Sequence, residues 1–228
     1  MRCKFVTFVT LVTPIFFASR FPKDGERKIS LQLNGMFSVY NTLAAIAVTA
    51  VNGIDFDIII KVLEETKGVA GRFEAVHKNP LVIVDYAHTP DGLENVLKAA
   101  TELKNDKSRL ICLFGCGGDR DATKRPKMGK IADEKADIIV VTSDNPRSEN
   151  PDLIISDIMA GIQTVNPKRV FVEPDRGKAI KLLKKIAEPN DIIMVAGKGH
   201  EDYQILKDKT IHFDDREEVR KVFGSEAE

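Results

Sequence analysis

The chain reads as an α/β protein, a Rossmann-like, mostly parallel sheet with helices on both faces, preceded by the end of a second domain. Three observations carry this reading. From Leu81 onward, strand-like and helix-like segments alternate with little slack. The strand-like segments are continuous runs of Val, Ile and Leu, as strands covered on both faces require. The segments between them are amphipathic, the pattern of helices lying on a sheet.

In order from Leu81, residues 81–86 read as a strand, 91–104 as a helix, 109–114 as a strand, 124–136 as a helix and 137–142 as a strand. Residues 151–165 follow as a helix, 169–172 as a strand, 175–187 as a helix and 191–196 as a strand. Leu182, Leu183 and Ile186 turn the 175–187 helix inward and leave its lysines solvated. Residues 204–206 and 210–213, joined by Lys207, Asp208 and Lys209, have the pattern of a hairpin at the sheet edge. A helix over 214–223 closes the series, with acidic residues at its start where the macrodipole favours them. Right-handed crossovers between these strands predict a sheet of five or six strands.

Before Leu81 the texture differs. Residues 29–33 read as a strand, 38–51 as an Ala-rich helix and 57–65 as another, and Gly71-Arg72-Phe73-Glu74 stands where a linker is expected. The boundary divides the chain into 1–70 and 71–228. At the N-terminus, Arg2 and Lys4 precede the apolar run 5–18, which imitates a signal peptide. Thr7, Thr10, Thr13 and Pro14 interrupt that run, and its β-branched and aromatic residues suit strands. Its 14 residues are too few to span a bilayer. A chain that opens within a strand pattern reads as the tail of something longer.

Lys and Arg together number 34, as do Asp and Glu, and no basic stripe or polyanionic tail is present. This argues against nucleic acid and membrane surfaces as partners. Cys3, Cys112 and Cys116 are odd in number, and two flank a strand end, which fits reduced thiols of a cytoplasmic protein. A zinc site on Cys112 and Cys116 lacks a second Cys or His pair at ligand spacing.

Four polar loops follow apolar strands and are expected on one rim of the sheet, at the strands' carboxyl ends, where open α/β sheets bind ligands. They are Asp85-Tyr86-Ala87-His88-Thr89-Pro90, Gly115-Cys116-Gly117-Gly118-Asp119-Arg120, Ser143-Asp144-Asn145-Pro146-Arg147 and Ala196-Gly197-Lys198-Gly199-His200-Glu201-Asp202. The third holds an Asp, an Asn and an Arg on a proline-stiffened turn. An Arg fork takes a carboxylate in two parallel hydrogen bonds and an Asp accepts from an ammonium, so this loop suits a zwitterion. On this loop alone the plainer alternative stays open, with Asp144 capping a turn and Arg147 solvated. The glycines of 115–118 either make turns or bring backbone close to a ligand and present Asp119 and Arg120. A dinucleotide fingerprint would need its third glycine at Arg120. Asp85 has the place of an aspartyl phosphatase nucleophile, but the second Asp that chemistry needs falls on Ala87. Lys198 and His200 stand out among Gly197, Gly199 and Glu201, yet a P-loop spacing occurs nowhere in the chain. His77, His88 and His212 have the character of structural histidines.

Several of these segments together carry a resemblance: Gly71-Arg72-Phe73-Glu74, Val84-Asp85-Tyr86-Ala87-His88-Thr89-Pro90, Phe114-Gly115-Cys116-Gly117-Gly118-Asp119-Arg120-Asp121, Lys124-Arg125-Pro126, Asp144-Asn145-Pro146-Arg147 and Gly197-Lys198-Gly199-His200-Glu201-Asp202-Tyr203-Gln204. In order and spacing they closely resemble the Mur ligases of peptidoglycan synthesis, in the branch that adds 2,6-diaminopimelate. The resemblance covers about residues 29–224. It implies a three-domain protein, with one domain for the UDP-sugar, a central ATPase with a P-loop, and a C-terminal Rossmann-like domain that brings the amino acid. It further implies that ATP with Mg2+ phosphorylates the D-glutamate carboxylate of UDP-N-acetylmuramoyl-L-alanyl-D-glutamate, the UDP-muramoyl dipeptide. The amine of meso-diaminopimelate then attacks the acyl phosphate, and phosphate leaves.

By the same resemblance, Arg120, Asp144, Asn145, Pro146, Arg147, Gly197 and Glu201 bind meso-diaminopimelate. Arg120 and Arg147 would take carboxylates, and Asp144 and Glu201 the distal ammonium. Asn41 would meet adenine, and Arg72 and Asp85 the phosphates and ribose of ATP. The family's P-loop, magnesium-binding acid and carbamylated lysine have no counterpart here, and Ser38 stands where Asn is usual. Residues 1–70 are therefore expected to be the C-terminal portion, a remnant, of the central ATP-binding domain, and 71–228 the C-terminal domain. ATP and Mg2+ would be held mostly by a missing N-terminal half, this chain contributing no catalytic residue and being inactive alone. The alternative is a non-catalytic diaminopimelate-binding module or an inactive truncated remnant.

Overall fold

In the computed structural model, residues 6–8, 15–21, 25–33, 35–164 and 166–224 are described. They belong to two compact units, Met1–Val69 and Ala70–Glu228.

In the first unit, β1 (Val6–Phe8), β2 (Ile15–Phe21) and β3 (Gly25–Leu31) form an antiparallel sheet in sequence order. The apolar run 5–18 is thus strand where it is described, while residues 5 and 9–14, and Cys3, lie outside the described residues. Two helices follow, α1 (Met36–Val51) and α2 (Phe56–Glu65), the second capped by Asp55, whose carboxylate accepts from Asp57 N at 2.9 Å. A small core of Ile29, Leu31, Val39, Ile46 and Ile59 joins β3 to both helices.

The second unit runs β4 (Glu74–Lys78), β5 (Leu81–Asp85), α3 (Pro90–Glu102), β6 (Leu110–Phe114), α4 (Lys124–Lys135), β7 (Ile138–Val141), α5 (Pro151–Met159), β8 (Val170–Val172), α6 (Arg176–Ile186), β9 (Ile192–Ala196), β10 (Tyr203–Ile205), β11 (Thr210–His212) and α7 (Asp215–Phe223). Its six-stranded sheet has the order β4-β5-β9-β6-β7-β8, parallel except for β4. The chain steps one way from β5 through β8 and then returns to insert β9 between β5 and β6. Right-handed crossovers put the helices of the outward steps on one face and that of the return step on the other. Accordingly α3 packs on α4 and α4 on α5, while α6 packs on α7. Val82, Val84, Ile111, Leu113, Ile193 and Val195 meet Ile180 and Leu183 of α6 and Val219 of α7 in one core. The alternate residues Ile83, Cys112 and Met194 are equally buried and by strand alternation face the other helix layer. Both faces are covered, which is why these strands are apolar at every position.

The segment expected as a linker leads straight into β4, with Phe73 buried and its N–H donating to Asp85 Oδ2 at 2.8 Å; of the five β4 residues only Val76 is buried, as an edge strand allows. Two expectations are corrected. The helix expected over 151–165 ends at Met159. Asp133 on α4 captures the N–H groups of Gln163 and Thr164 at 3.0 and 3.2 Å, bonds that a continuing helix would have made internally. The hairpin does not extend the main sheet: β10 and β11 form a separate two-stranded sheet. It docks on the rim instead, where Ile205 N donates to Asn145 Oδ1 and Arg147 N to Ile205 O.

Candidate functional site

The loops after β5, β6, β7 and β9 meet at one end of the sheet. Gly197 N donates to Asp85 O at 3.0 Å and Gly118 N to Asn145 O at 2.9 Å. Lys124 Nζ reaches His88 O at 2.7 Å, and Asn145 Nδ2 donates to Glu201 Oε2 at 3.0 Å. Arg120 and Arg147 therefore lie at the same end, on facing loops.

Asp144 and Asn145 are buried. Asn145 is held at both ends of its amide: Oδ1 accepts from Lys198 Nζ and Ile205 N, each at 3.0 Å, and Nδ2 donates to Glu201. Arg147 adopts φ 54°, a left-handed conformation costly for a residue with a Cβ. In that conformation its Nη1 donates to Gly118 O at 2.9 Å. Among the described residues Nε and Nη2 have no protein partner, so half of the fork remains for a ligand. Beside it opens a cavity of about 380 Å3, lined in part by Pro146, Arg147, Ser148, Leu206 and Lys207. Arg120 is exposed and donates to Asp119 O at 3.0 Å. Gly197 has φ 120°, and a Cβ there would come within 4.0 Å of the Asp144 carboxyl. Both carboxylates expected in the site, Asp144 and Glu201, thus converge on Lys198, at 3.4 and 3.3 Å from its Nζ.

Three residues without an assigned role at the sequence level hold this arrangement. Lys198 is fully buried beneath the rim. Arg176, also buried, forms a two-bond pair with Asp215 and donates to Ser143 O at 3.3 Å and Ala196 O at 3.0 Å, tying together the starts of two site loops. Arg125 binds Glu149 at 2.8 Å, Asp157 at 2.9 Å and Gly117 O at 3.3 Å. Its hydrogen bond holds the Glu149 carboxyl below the usual range, and that carboxylate also accepts from Asp119 N. The Asp119 carboxyl, held low by its bonds from Ser148 Oγ and N, closes the link between the two loops. One signal was available: Arg125 and Arg176 sit in the first turns of α4 and α6, where the helix dipole disfavours a cation.

Asp85 spends both oxygens on backbone, Oδ2 on Phe73 N and Oδ1 on Ala87 N at 2.7 Å. Burial pushes its carboxyl up, against those two bonds. The Arg72 guanidinium lies 4.7 Å over the Tyr86 ring, and Asn41 is exposed on α1 in the first unit. Burial pushes the Cys112 and Cys116 thiols up to about 12. Among the described residues no group of three His, Cys, Asp or Glu is placed to hold a metal. No helix among them is long and apolar enough to cross a membrane.

Residues 71–199 match the family described as Mur ligase, glutamate ligase domain. The UDP-N-acetylmuramoyl-L-alanyl-D-glutamate–2,6-diaminopimelate ligase of Clostridium botulinum is 50% identical over 204 residues, covering 88% of this chain and 41% of its own length. That of Syntrophomonas wolfei is 51% identical over 195 residues, covering 85% and 40%. A solved structure of a UDP-N-acetylmuramoyl-L-alanyl-D-glutamate–2,6-diaminopimelate ligase superposes with a TM-score of 0.66 at 37% identity, over 91% of this chain and 42% of that one. Folylpolyglutamate synthase of Mycobacterium tuberculosis, at 19% identity and a TM-score of 0.68 over 98% of this chain and 49% of its own, shares the fold. The chain spans about 40% of the length of the curated relatives it matches.

Proposed function

The chain belongs to the Mur ligase family, and we propose that it supplies the amino-acid-binding part of a ligase that adds meso-diaminopimelate to UDP-N-acetylmuramoyl-L-alanyl-D-glutamate with ATP. The observation that carries this is the convergence of Asp144, Asn145, Arg147, Gly197 and Glu201 on one rim, with two carboxylates beside a half-used Arg fork. Arg147 and Arg120 receive carboxylates and Asp144 and Glu201 the distal ammonium, while Pro146 stiffens the loop that presents them. Arg72 and Asp85 face the phosphates and ribose of ATP, and Asn41, on the first unit, is assigned to adenine by the resemblance alone. A P-loop spacing occurs nowhere in the sequence, so phosphoryl transfer is assigned to the portion of the relatives that this chain does not span. In the cell the reading places the protein in the cytoplasm.

Calorimetry tests the binding half of this proposal. L-Lysine lacks the distal carboxylate, and leaving a desolvated guanidinium unpaired costs about 1–3 kcal/mol, roughly ten- to a hundredfold in affinity. The chain should prefer meso-diaminopimelate by that margin. Arg147→Lys, which cannot reproduce the fork, should erase most of the preference. Equal binding of the two amino acids by the wild type overturns the reading. A phosphate-release assay with UDP-muramoyl dipeptide, meso-diaminopimelate, ATP and magnesium tests the rest. No turnover is expected from this chain alone, and rates above about 1 per second would overturn the assignment of ATP chemistry elsewhere. A chain that binds and is never activated by a P-loop partner would instead be a diaminopimelate-binding module, the second reading.

A further inference from the structure

We infer that Lys198 is the positioning residue of this site, holding Asp144, Asn145 and Glu201 as one acceptor set for the ammonium of the incoming amino acid. The inference rests on the proposed binding of an amino acid at the rim. Lys198 lies between Gly197 at φ 120° and Gly199 at φ 54°, conformations open to glycine that turn its side chain under the rim. It is 0% exposed. Its Nζ lies 3.0 Å from Asn145 Oδ1, 3.3 Å from Glu201 Oε2 and 3.4 Å from Asp144 Oδ1, three acceptors for three ammonium protons.

The charges in this set do not cancel. Two carboxylates around one lysine leave a net negative charge, and Asp144 Oδ2 and Glu201 Oε1 are not used by the lysine. That surplus suits a second ammonium. Burying a lysine is an inefficient way to stabilise a fold, since an apolar residue of similar volume is often as good or better. What the lysine provides is geometry. It draws together two like charges that would otherwise separate, and it orients the Asn145 amide, which accepts from Lys198 and donates to Glu201. Removing it should let the acceptors splay and lose their common focus.

The sign of the effect separates this from simple electrostatics. Deleting a positive charge would, by Coulomb attraction alone, improve binding of an ammonium ligand, whereas loss of positioning weakens it. The experiment is calorimetry on the full 228-residue chain and on Lys198→Met, with two probes, meso-diaminopimelate and pimelate. Pimelate keeps the chain length and both carboxylates and lacks the amines. Lys198→Met should bind meso-diaminopimelate at least tenfold more weakly and change pimelate binding less than twofold. Equal weakening of both probes indicates a merely structural role and overturns the inference, as does unchanged or tighter binding of meso-diaminopimelate. If Lys198→Met shows no cooperative thermal transition, the wild-type chain decides by nitrogen-15 NMR of lysine amines. The exchange-protected Nζ resonance expected of this buried ammonium should shift with meso-diaminopimelate and stay with pimelate, and the same response to both probes overturns the inference. A wild type that binds neither probe overturns the proposed function itself, whereas a wild type that binds while Lys198→Met is unaffected overturns this inference alone.

Discussion

Replacing Asp215 by Ala should be among the most damaging single changes in the second unit. The side chains of Arg176 and Asp215 are both 0% exposed, and two bonds of 2.7 Å join them. Without Asp215 the guanidinium keeps only the carbonyls of Ser143 and Ala196, at 3.3 and 3.0 Å. Removing one member of a buried pair costs about 3–5 kcal/mol because the other charge is left uncompensated. The two remaining carbonyls place the expected loss at the lower end, about 3–4 kcal/mol. Urea unfolding followed by circular dichroism should show a lowered midpoint with an unchanged slope. Two further variants calibrate the result. Glu94→Ala, which breaks exposed pairs with Lys98 and Lys135, should leave the midpoint almost unchanged. The double variant Arg176→Met with Asp215→Leu, which removes both charges, should be more stable than Asp215→Ala alone. An Asp215→Ala chain within about 1 kcal/mol of wild type would refute the picture of Arg176 as a buried, charged tie between the loops after β7 and β9.

Three further outcomes are expected. Gly118→Ala puts a Cβ 1.9 Å from Pro146 O, so the facing loops must part; overpacking of this kind costs about 1–3 kcal/mol, and calorimetry should show meso-diaminopimelate binding reduced beyond what the stability loss explains. Burial pushes the Asp214 carboxyl up, but hydrogen bonds from the Arg216 side chain and N–H outweigh it and hold the group below its ordinary 3.8. A lowered folded-state value means stability present above the unfolded value and lost as pH falls through the folded one, so Asp214→Asn should be less stable than wild type at pH 7 and the gap in urea midpoint should close below 3.8. With their thiols pushed up to about 12 and buried, Cys112 and Cys116 should resist alkylation at pH 8 in the native chain and react once it is unfolded, as peptide mass mapping would show.

The parts legible in the sequence were those whose cause is local or periodic. Leu110–Phe114 and Ile192–Ala196 announce themselves as doubly covered strands, and from these the common rim follows by topology, so Asp144, Arg147 and Glu201 could be grouped although they are distant along the chain. What stayed hidden was decided by partners far away. The end of α5 depends on Asp133, roughly thirty positions earlier; the local stop signal, Gly161 just past the C-cap Ala160, was outweighed by the apolar pattern that continues beyond it. β4 was missed because Val76 alone of its five residues is buried, too few for a period to show. Lys198 drew notice as a lysine between glycines, but its role depends on Asp144 and Asn145, which contact it from another loop.

The strand order also determines when such a site can exist. β5 and β6 do not pair with one another, and each pairs with β9 along its length. Until residues 192–196 enter that slot, the sheet consists of β4 with β5 on one side and β6 to β8 on the other, two pieces with no ladder between them. Closing the gap pairs β9 with β5, 111 positions earlier, and with β6, 82 positions earlier, the kind of non-local contact that slows folding. During synthesis the earlier strands must therefore wait with exposed apolar edges, a state open to wrong pairing. The same insertion delivers Gly197, Lys198 and Glu201 to the loop after β7, so the step that closes the sheet also brings the two halves of the site together.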